Sequence, residues 1–212
     1  MAKKQNDFYV AKAVLGVVLL MVTGVGLWYW SLLSEMRQAV DDYRQGDAET
    51  ALGRYEEVER KIRGVGMLRF IPARDRQNLF LNQARLLYDL GRYEEAAEQL
   101  EKENEIAGLT TDGRFFLLRG DISFRKAVSD YQESERKDAK VLEDALRSAE
   151  DNLRDSLRLV ADDWDAKFNY EFINYVRRMM NQNQDEEKIK ILMENVRVKQ
   201  TQPKALPPDQ QS

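Results

Sequence analysis

The chain has 212 residues, 33% of them charged and 43% hydrophobic, with a net charge of −4. That is room for one domain with appendages and enough apolar material for a core. It contains no Cys and no His, which excludes disulfides, thiolate and imidazole metal sites, Cys nucleophiles and His-based triads. With only 4 Pro the composition suits long helices, and the exclusions together point away from an enzyme and toward a scaffold.

Residues 1–12 are a short polar N-terminus. Ala13 to Ser34 is then a run of 22 residues without a charge. As a helix it spans about 33 Å, enough for a bilayer core of roughly 30 Å. Trp28, Tyr29 and Trp30 stand near its far end, where an interfacial aromatic belt would lie. A cleaved signal peptide is the competing reading. The run is long for one, and no small-x-small cleavage pattern follows it. Lys3, Lys4 and Lys12 precede the run against the single acid Asp7. By the positive-inside rule the N-terminus is cytoplasmic and the remainder lies outside, in the periplasm of a Gram-negative cell, anchored in the inner membrane by one crossing. Residues 35–194 hold 27 basic and 35 acidic side chains, a balance that speaks against a nucleic-acid partner.

A repeat marks the next region. Gly46-Asp47-Ala48-Glu49-Thr50-Ala51 and Gly91-Arg92-Tyr93-Glu94-Glu95-Ala96 match in register at an offset of 45 residues. In each copy Gly ends a helix, and five residues later a small Ala packs inside the next. Apolar residues at helical spacing flank both: Ala39, Tyr43, Ala51 and Tyr55 in the first, Phe80, Ala84, Leu87, Ala97 and Leu100 in the second. The pattern resembles the tetratricopeptide repeat, a helical hairpin of about 34 residues. The surplus falls in a loop from Gly64 to Pro72, ringed by Arg60, Lys61, Arg63, Arg69, Arg74 and Arg76. Two readings stand for it: a surface for membrane or partner, or a loop packed against the hairpins with Arg as its solvent rim.

A third unit begins at Arg114 and Gly120-Asp121, and its second helix carries Ala149, Leu153, Ser156, Leu157 and Leu159. The extra segment, roughly Arg125 to Leu142, is mostly charged and polar and has neither Gly nor Pro. It predicts extra turns on both helices, so that the hairpin is elongated and projects, either as a solvated face or as a docking arm. Its deletion is then expected to leave melting nearly unchanged. A fourth unit opens at Asp162-Asp163-Trp164-Asp165, with Asp163 as cap and Trp164, Phe168 and Phe172 at helical spacing. The aspartates lack the spacing and the distal Glu of a calcium loop, so no metal is expected. Glu187 to Val198 predicts one more amphipathic helix, with Ile189, Leu192 and Val196 on one face, capping the stack. Residues 201–212 are Gln- and Pro-rich without periodicity and predict a disordered tail.

The fold expected is therefore all-α: a transmembrane helix over 13–34, then a tetratricopeptide-like solenoid of helical hairpins over 35–200, one of them elongated. Arg119-Gly120-Asp121-Ile122-Ser123-Phe124-Arg125-Lys126-Ala127, then Leu153-Arg154-Asp155-Ser156-Leu157-Arg158-Leu159, then Asp163-Trp164-Asp165-Ala166-Lys167-Phe168-Asn169-Tyr170-Glu171 is similar to the C-terminal half of the MxaK-like family. With the anchor and the Gly-Arg-Tyr-Glu-Glu-Ala repeat, the likeness covers most of residues 8–180. It departs from the family in having Arg119 for a Leu, Ala161 for a Pro, Phe168 for a Tyr and Tyr170 for a Leu. The resemblance implies a membrane-anchored repeat protein that works beside MoxR-type AAA+ ATPases and von Willebrand A-domain proteins. These systems mature an envelope enzyme such as methanol dehydrogenase, with calcium insertion as the implied step.

Catalytic chemistry has no visible carrier. There is no Gly-rich phosphate loop, and Glu94, Glu95 and Glu98 share a helix face with Arg92 and Lys102, as solvated ion pairs do. No cofactor is expected, and the expected partners are proteins. The candidate partner site is a groove along the first helices of the hairpins. Tyr43, Tyr88, Phe124 and Tyr175 occupy one register there, with Asn82, Arg85 and Asn169 beside them. Flat rings offer contact area at low entropic cost and amides can hold an extended backbone. The competing reading puts these rings in the seams between hairpins, as core. For function, a protein-binding scaffold stands against a structural component of an envelope secretion, pilus or cell-wall assembly.

Overall fold

The computed structural model describes residues 2–102, 106, 108–136 and 138–182. The amphipathic stretch 187–198 and the tail 201–212 lie outside the described residues. Among the described residues the chain is all-helical: α1 (Ala2–Arg44), α2 (Ala48–Gly64), α3 (Ala73–Asp89), α4 (Tyr93–Glu101), α5 (Gly113–Glu133), α6 (Ala139–Leu159) and α7 (Trp164–Gln182). After the long apolar N-terminal helix the elements follow one another as hairpins, in the manner of a helical solenoid. Two compact units divide at Val58 and Glu59.

In the first unit α1 continues unbroken from the uncharged run into the charged sequence that follows, because no Gly or Pro interrupts it between Leu27 and Gln45. Its stretch from Lys12 is long and apolar enough to cross a membrane. Side chains from Lys12 to Leu27 are exposed, while Leu32 and Ala39 are buried. The helix stops at Gly46, whose φ of +90° belongs to the left-handed region that costs glycine nothing. The Gly46 amide donates to the Tyr43 carbonyl at 2.9 Å and that of Asp47 to Asp42 at 3.0 Å, the two bonds of a Schellman stop. Asp47 then caps α2 by accepting from the Thr50 amide at 3.0 Å. These hydrogen bonds from Thr50 hold its carboxyl below the usual carboxylate range. Arg54 on α2 reaches back to Asp42 and, at 3.0 Å, to Gln38 on α1.

The second repeat copy builds the same turn. Gly91 has φ +76°, its amide donates to Tyr88 at 3.0 Å and that of Arg92 to Leu87 at 2.9 Å. Ala51 and Ala96, the small residues of the two copies, are both fully buried. The matching hexapeptides therefore encode one local structure twice. The segment between α2 and α3 splits the two readings of it: Ile71 is buried, whereas Val65 and Phe70 stand exposed around a single 3-10 turn, Leu68–Phe70.

In the second unit α3 pairs with α4, α5 with α6, and α7 packs on α6 and α5. The α5–α6 pair approaches most closely where α5 carries glycine. A Cβ on Gly120 would sit 2.8 Å from Leu153 Cγ and 3.2 Å from the Ala149 carbonyl oxygen. At Gly113 the space is filled by Val160, and the Gly113 carbonyl accepts from Ser156 Oγ at 2.8 Å. Asp112, Asp138 and Asp163 cap α5, α6 and α7 through backbone amides.

The elongated hairpin is present, with α5 and α6 of 21 residues each against 17 in α3. Its outer part is not the charged projection that the composition suggested. Val128, Tyr131 and Leu142 are buried there, in one cluster with Leu146, Ile173, Val176 and Met180. The charges lie on the outward faces of both helices, while the few apolar residues, at helical spacing, face inward under α7.

Candidate functional site

Three helices, α3, α5 and α7, meet at a cavity of about 10 Å³ lined by Tyr88, Asp121, Phe124, Asn169, Phe172 and Ile173. That is on the order of the room one water needs. Of the residues expected to form a groove, Tyr88, Phe124 and Asn169 are thus brought together, and all three are buried, Tyr88 with 7% of its surface exposed. The Arg85 guanidinium lies over the Tyr88 ring, 5.5 Å from its centroid. Asn82 is half-buried on α3. Tyr175 is on α7 one turn beyond Phe172, but it is half exposed and lies outside the cavity. Tyr43 belongs to the other unit, half-buried on α1. The rings at the cavity interlock: Phe124 meets Phe172 edge to face at 5.8 Å, and Phe172 stacks on Phe168 at 6.5 Å. Tyr88 also tilts against Tyr93 at 5.7 Å. Part of the expected stripe is therefore seam, with an aromatic edge continuing onto the exposed side of α7.

Sequence reasoning missed Asp121. It follows Gly120 inside the apolar stretch Phe115–Ile122, and a lone acid in such a stretch was the available signal. Asp121 is 6% exposed and accepts a 2.6 Å hydrogen bond from Asn169 Nδ2. Burial pushes its carboxyl up to about 7, against the counteracting charges of Arg85 and Arg125 and the Asn169 hydrogen bond. The Tyr88 hydroxyl, pushed up by its own burial and then by Asp121, accepts from Arg125 Nε at 3.5 Å. The cavity thus has aromatic walls, an acid–amide pair on its floor and two arginines beside it. At this size the cavity has room for about one water, and its lining holds no nucleophile paired with a base.

A pH dependence follows. A group whose folded pKa is about 7 against an ordinary 3.8 binds its proton more tightly in the folded state. Its contribution is full below about pH 4 and is lost as pH rises through 7. Asp121→Asn keeps the acceptor for Asn169 and removes the titration. In urea melts the variant should gain on the parent by on the order of 3 kcal/mol between pH 4 and pH 8. A difference that does not vary with pH would show that Asp121 ionises as an ordinary carboxylate.

A wider cleft of about 280 Å³ lies between the start of α4 and α5. Its charges are already paired: Lys126 with Glu94 at 2.6 Å and Asp130 at 2.8 Å, Arg92 with Glu95 at 2.5 Å. Lys102 donates instead to Gln99, at 2.7 Å. Among the described residues no three Asp or Glu side chains gather within reach of one metal ion.

No family model matches the chain, and no curated protein matches it.

Proposed function

We propose that this chain is a membrane-anchored scaffold that holds a protein partner at the outer face of a bacterial inner membrane. The observation that carries the reading is the combination of one helix long and apolar enough to span a bilayer with hairpins whose helices α3, α5 and α7 converge on an aromatic, amide-bearing cavity. The Lys bias before the apolar run supports a cytoplasmic N-terminus and a periplasmic remainder. The resemblance of the α5, α6 and α7 sequences to the MxaK-like family supports the specific version: an accessory to a MoxR-type ATPase and A-domain system that matures an envelope enzyme.

Topology comes first among the tests. A C-terminal alkaline-phosphatase fusion is expected to be active in a Gram-negative host; activity from a cytoplasmic reporter alone would reverse the orientation. For the site, Tyr88→Ala is a poor probe, because a buried ring of this size costs about 3 kcal/mol or more when truncated. Asn82→Ala, at a half-buried position, should cost about 1 kcal/mol or less, and Arg85→Ala more, because it also removes the counter-charge of Asp89 at 3.3 Å; both should lower partner recovery at least tenfold in a detergent pull-down. Unchanged recovery with both variants folded would remove the groove from the reading. Recovery of an A-domain protein or AAA+ ATPase supports the accessory role, and recovery of secretion, pilus or cell-wall components supports a structural role in such an assembly.

A further inference from the structure

The connection between α2 and α3 is opposite in charge to the region it interrupts. Residues 60–76 hold six basic side chains, Arg60, Lys61, Arg63, Arg69, Arg74 and Arg76, against the single acid Asp75. Residues 35–194 as a whole hold 27 basic and 35 acidic side chains. Arg63 is paired with Glu59 at 2.7 Å. Arg69 and Arg74 are both exposed. Arg74 stands in the first turn of α3, where a cation works against the helix dipole, so its charge does not serve that helix.

Two apolar side chains stand out among these charges, Phe70 at 72% exposed and Val65 at 55%. Ordered backbone holds them there. Gly66 has φ +65°, its amide donates to the Arg63 carbonyl at 3.0 Å and that of Met67 to Ile62 at 3.2 Å, so α2 ends in the same Schellman stop as α1. The Phe70 amide then donates to the Met67 carbonyl at 2.9 Å. Ile71 is buried, which pins the turn and leaves its neighbour Phe70 facing out.

An open ring and an open valine among arginines match a surface of phosphates with acyl chains beneath it. Guanidinium groups pair with phosphate oxygens, and an apolar ring gains by entering the headgroup boundary. Such a surface is close along the chain, since Gly64 follows the end of the uncharged run at Ser34 by 30 residues. In the first unit α2 runs back along α1, with Arg54 bonded to Asp42 and Gln38. The chain there travels toward the apolar run, not away from it. A short tether to the bilayer gives the turn a high effective concentration at its surface.

We propose that this turn docks on the anionic phospholipid of the bilayer that α1 crosses. Phe70 and Val65 enter the headgroup boundary, and Arg69 and Arg74 take phosphate. The inference rests on α1 as the membrane anchor and adds a second, charge-dependent contact with the same membrane.

The chain has no Cys, so single labels can be placed in the full-length protein. Phe70→Cys and, separately, Leu20→Cys in the uncharged run are labelled with an environment-sensitive fluorophore. Each is reconstituted in phosphatidylcholine vesicles with and without phosphatidylglycerol. With phosphatidylglycerol present, nitroxide-bearing lipid should quench the label at Phe70→Cys by about half or more, as for a group at the headgroup boundary. Quenching should be at least about threefold weaker in phosphatidylcholine alone, and equally weakened by Arg69→Glu with Arg74→Glu. Both arginines are exposed, so melting should stay that of the parent. Quenching at Leu20→Cys with none at Phe70→Cys, whose label stays open to iodide, would overturn the docking and keep the anchor. A label shielded from iodide in detergent and vesicles alike, without lipid quenching, would overturn it in favour of a protein cover. Equal quenching with and without phosphatidylglycerol would also overturn it. An unquenched Leu20→Cys beside a quenched Phe70→Cys would remove the anchor and leave the docking standing; neither quenched would end both.

Discussion

Deleting residues 128–140 and closing α5 to α6 with a short Gly-rich turn should destabilise the protein by about 5 kcal/mol or more, a large share of the 5–15 kcal/mol that domains typically have. The deletion removes Val128 and Tyr131, both buried, and uncovers Leu142 and Leu146, which pack with Val176 and Met180 of α7. Fully burying one side chain of this size is worth about 1.5–3 kcal/mol, and the exposed neighbours add to the loss. Composition alone leads to the opposite expectation, since the segment reads as a charged arm. A urea midpoint close to that of the parent would show that the outer hairpin is peripheral after all. A collapse of the α5–α7 cluster, seen as lost helicity and a lower melting temperature, is the expected result.

The second large effect belongs to Glu150. Its carboxylate is buried on α6 and joins Arg177 of α7, while its other oxygen accepts from Arg154 at 2.7 Å. Arg177 also faces Glu143, at 3.8 Å. Glu150→Ala removes the main counter-charge from an arginine that is about four-fifths buried. Breaking a buried pair from one side costs about 3–5 kcal/mol; the partial exposure of Arg177 and its second acid place this one near 3 kcal/mol. Urea melts of Glu150→Ala, Arg177→Ala and the double variant give the coupling. The double variant should recover at least about 1 kcal/mol relative to the sum of the singles. Strict additivity would mean that solvent, not Glu150, satisfies Arg177. The pair ties α7 to α6 beside the same cluster that the deletion disrupts, so both predictions bear on what holds α7 in place.

How much of this was legible in the sequence depends on the range of the interaction involved. The two turns at Gly46 and Gly91 were, because a Schellman stop needs only a residue free to take positive φ and amides within five positions along the chain. The Asp163 cap was legible for the same reason, and so was the uncharged run of α1, whose length and apolarity are properties of consecutive residues. The elongation of α5 and α6 was legible too, from a stretch without Gly or Pro. Which side of that elongation is core was not. Val128, Tyr131 and Leu142 are sparse among charges, and their burial depends on α7, which reaches them from 31 to 52 residues further along the chain through Ile173, Val176 and Met180.

The candidate site divides in the same way. Helical spacing placed Tyr88 and Phe124 in one register, and the fold brings them to one cavity. Asn169, expected beside them, lines it too, but spacing did not say that the α7 ring there is Phe172, with Tyr175 left exposed. Nor did it mark Asp121, whose only sign was a charge in an apolar stretch and whose hydrogen-bond partner lies 48 residues away. The sequence by itself determined where helices begin, where they stop, and that each has an apolar face, because dihedral preference, capping and periodicity act within a few residues. Only the tertiary structure decided which apolar faces meet and what a buried acid is paired with, because burial is a property of neighbours, and neighbours from distant segments are chosen by packing.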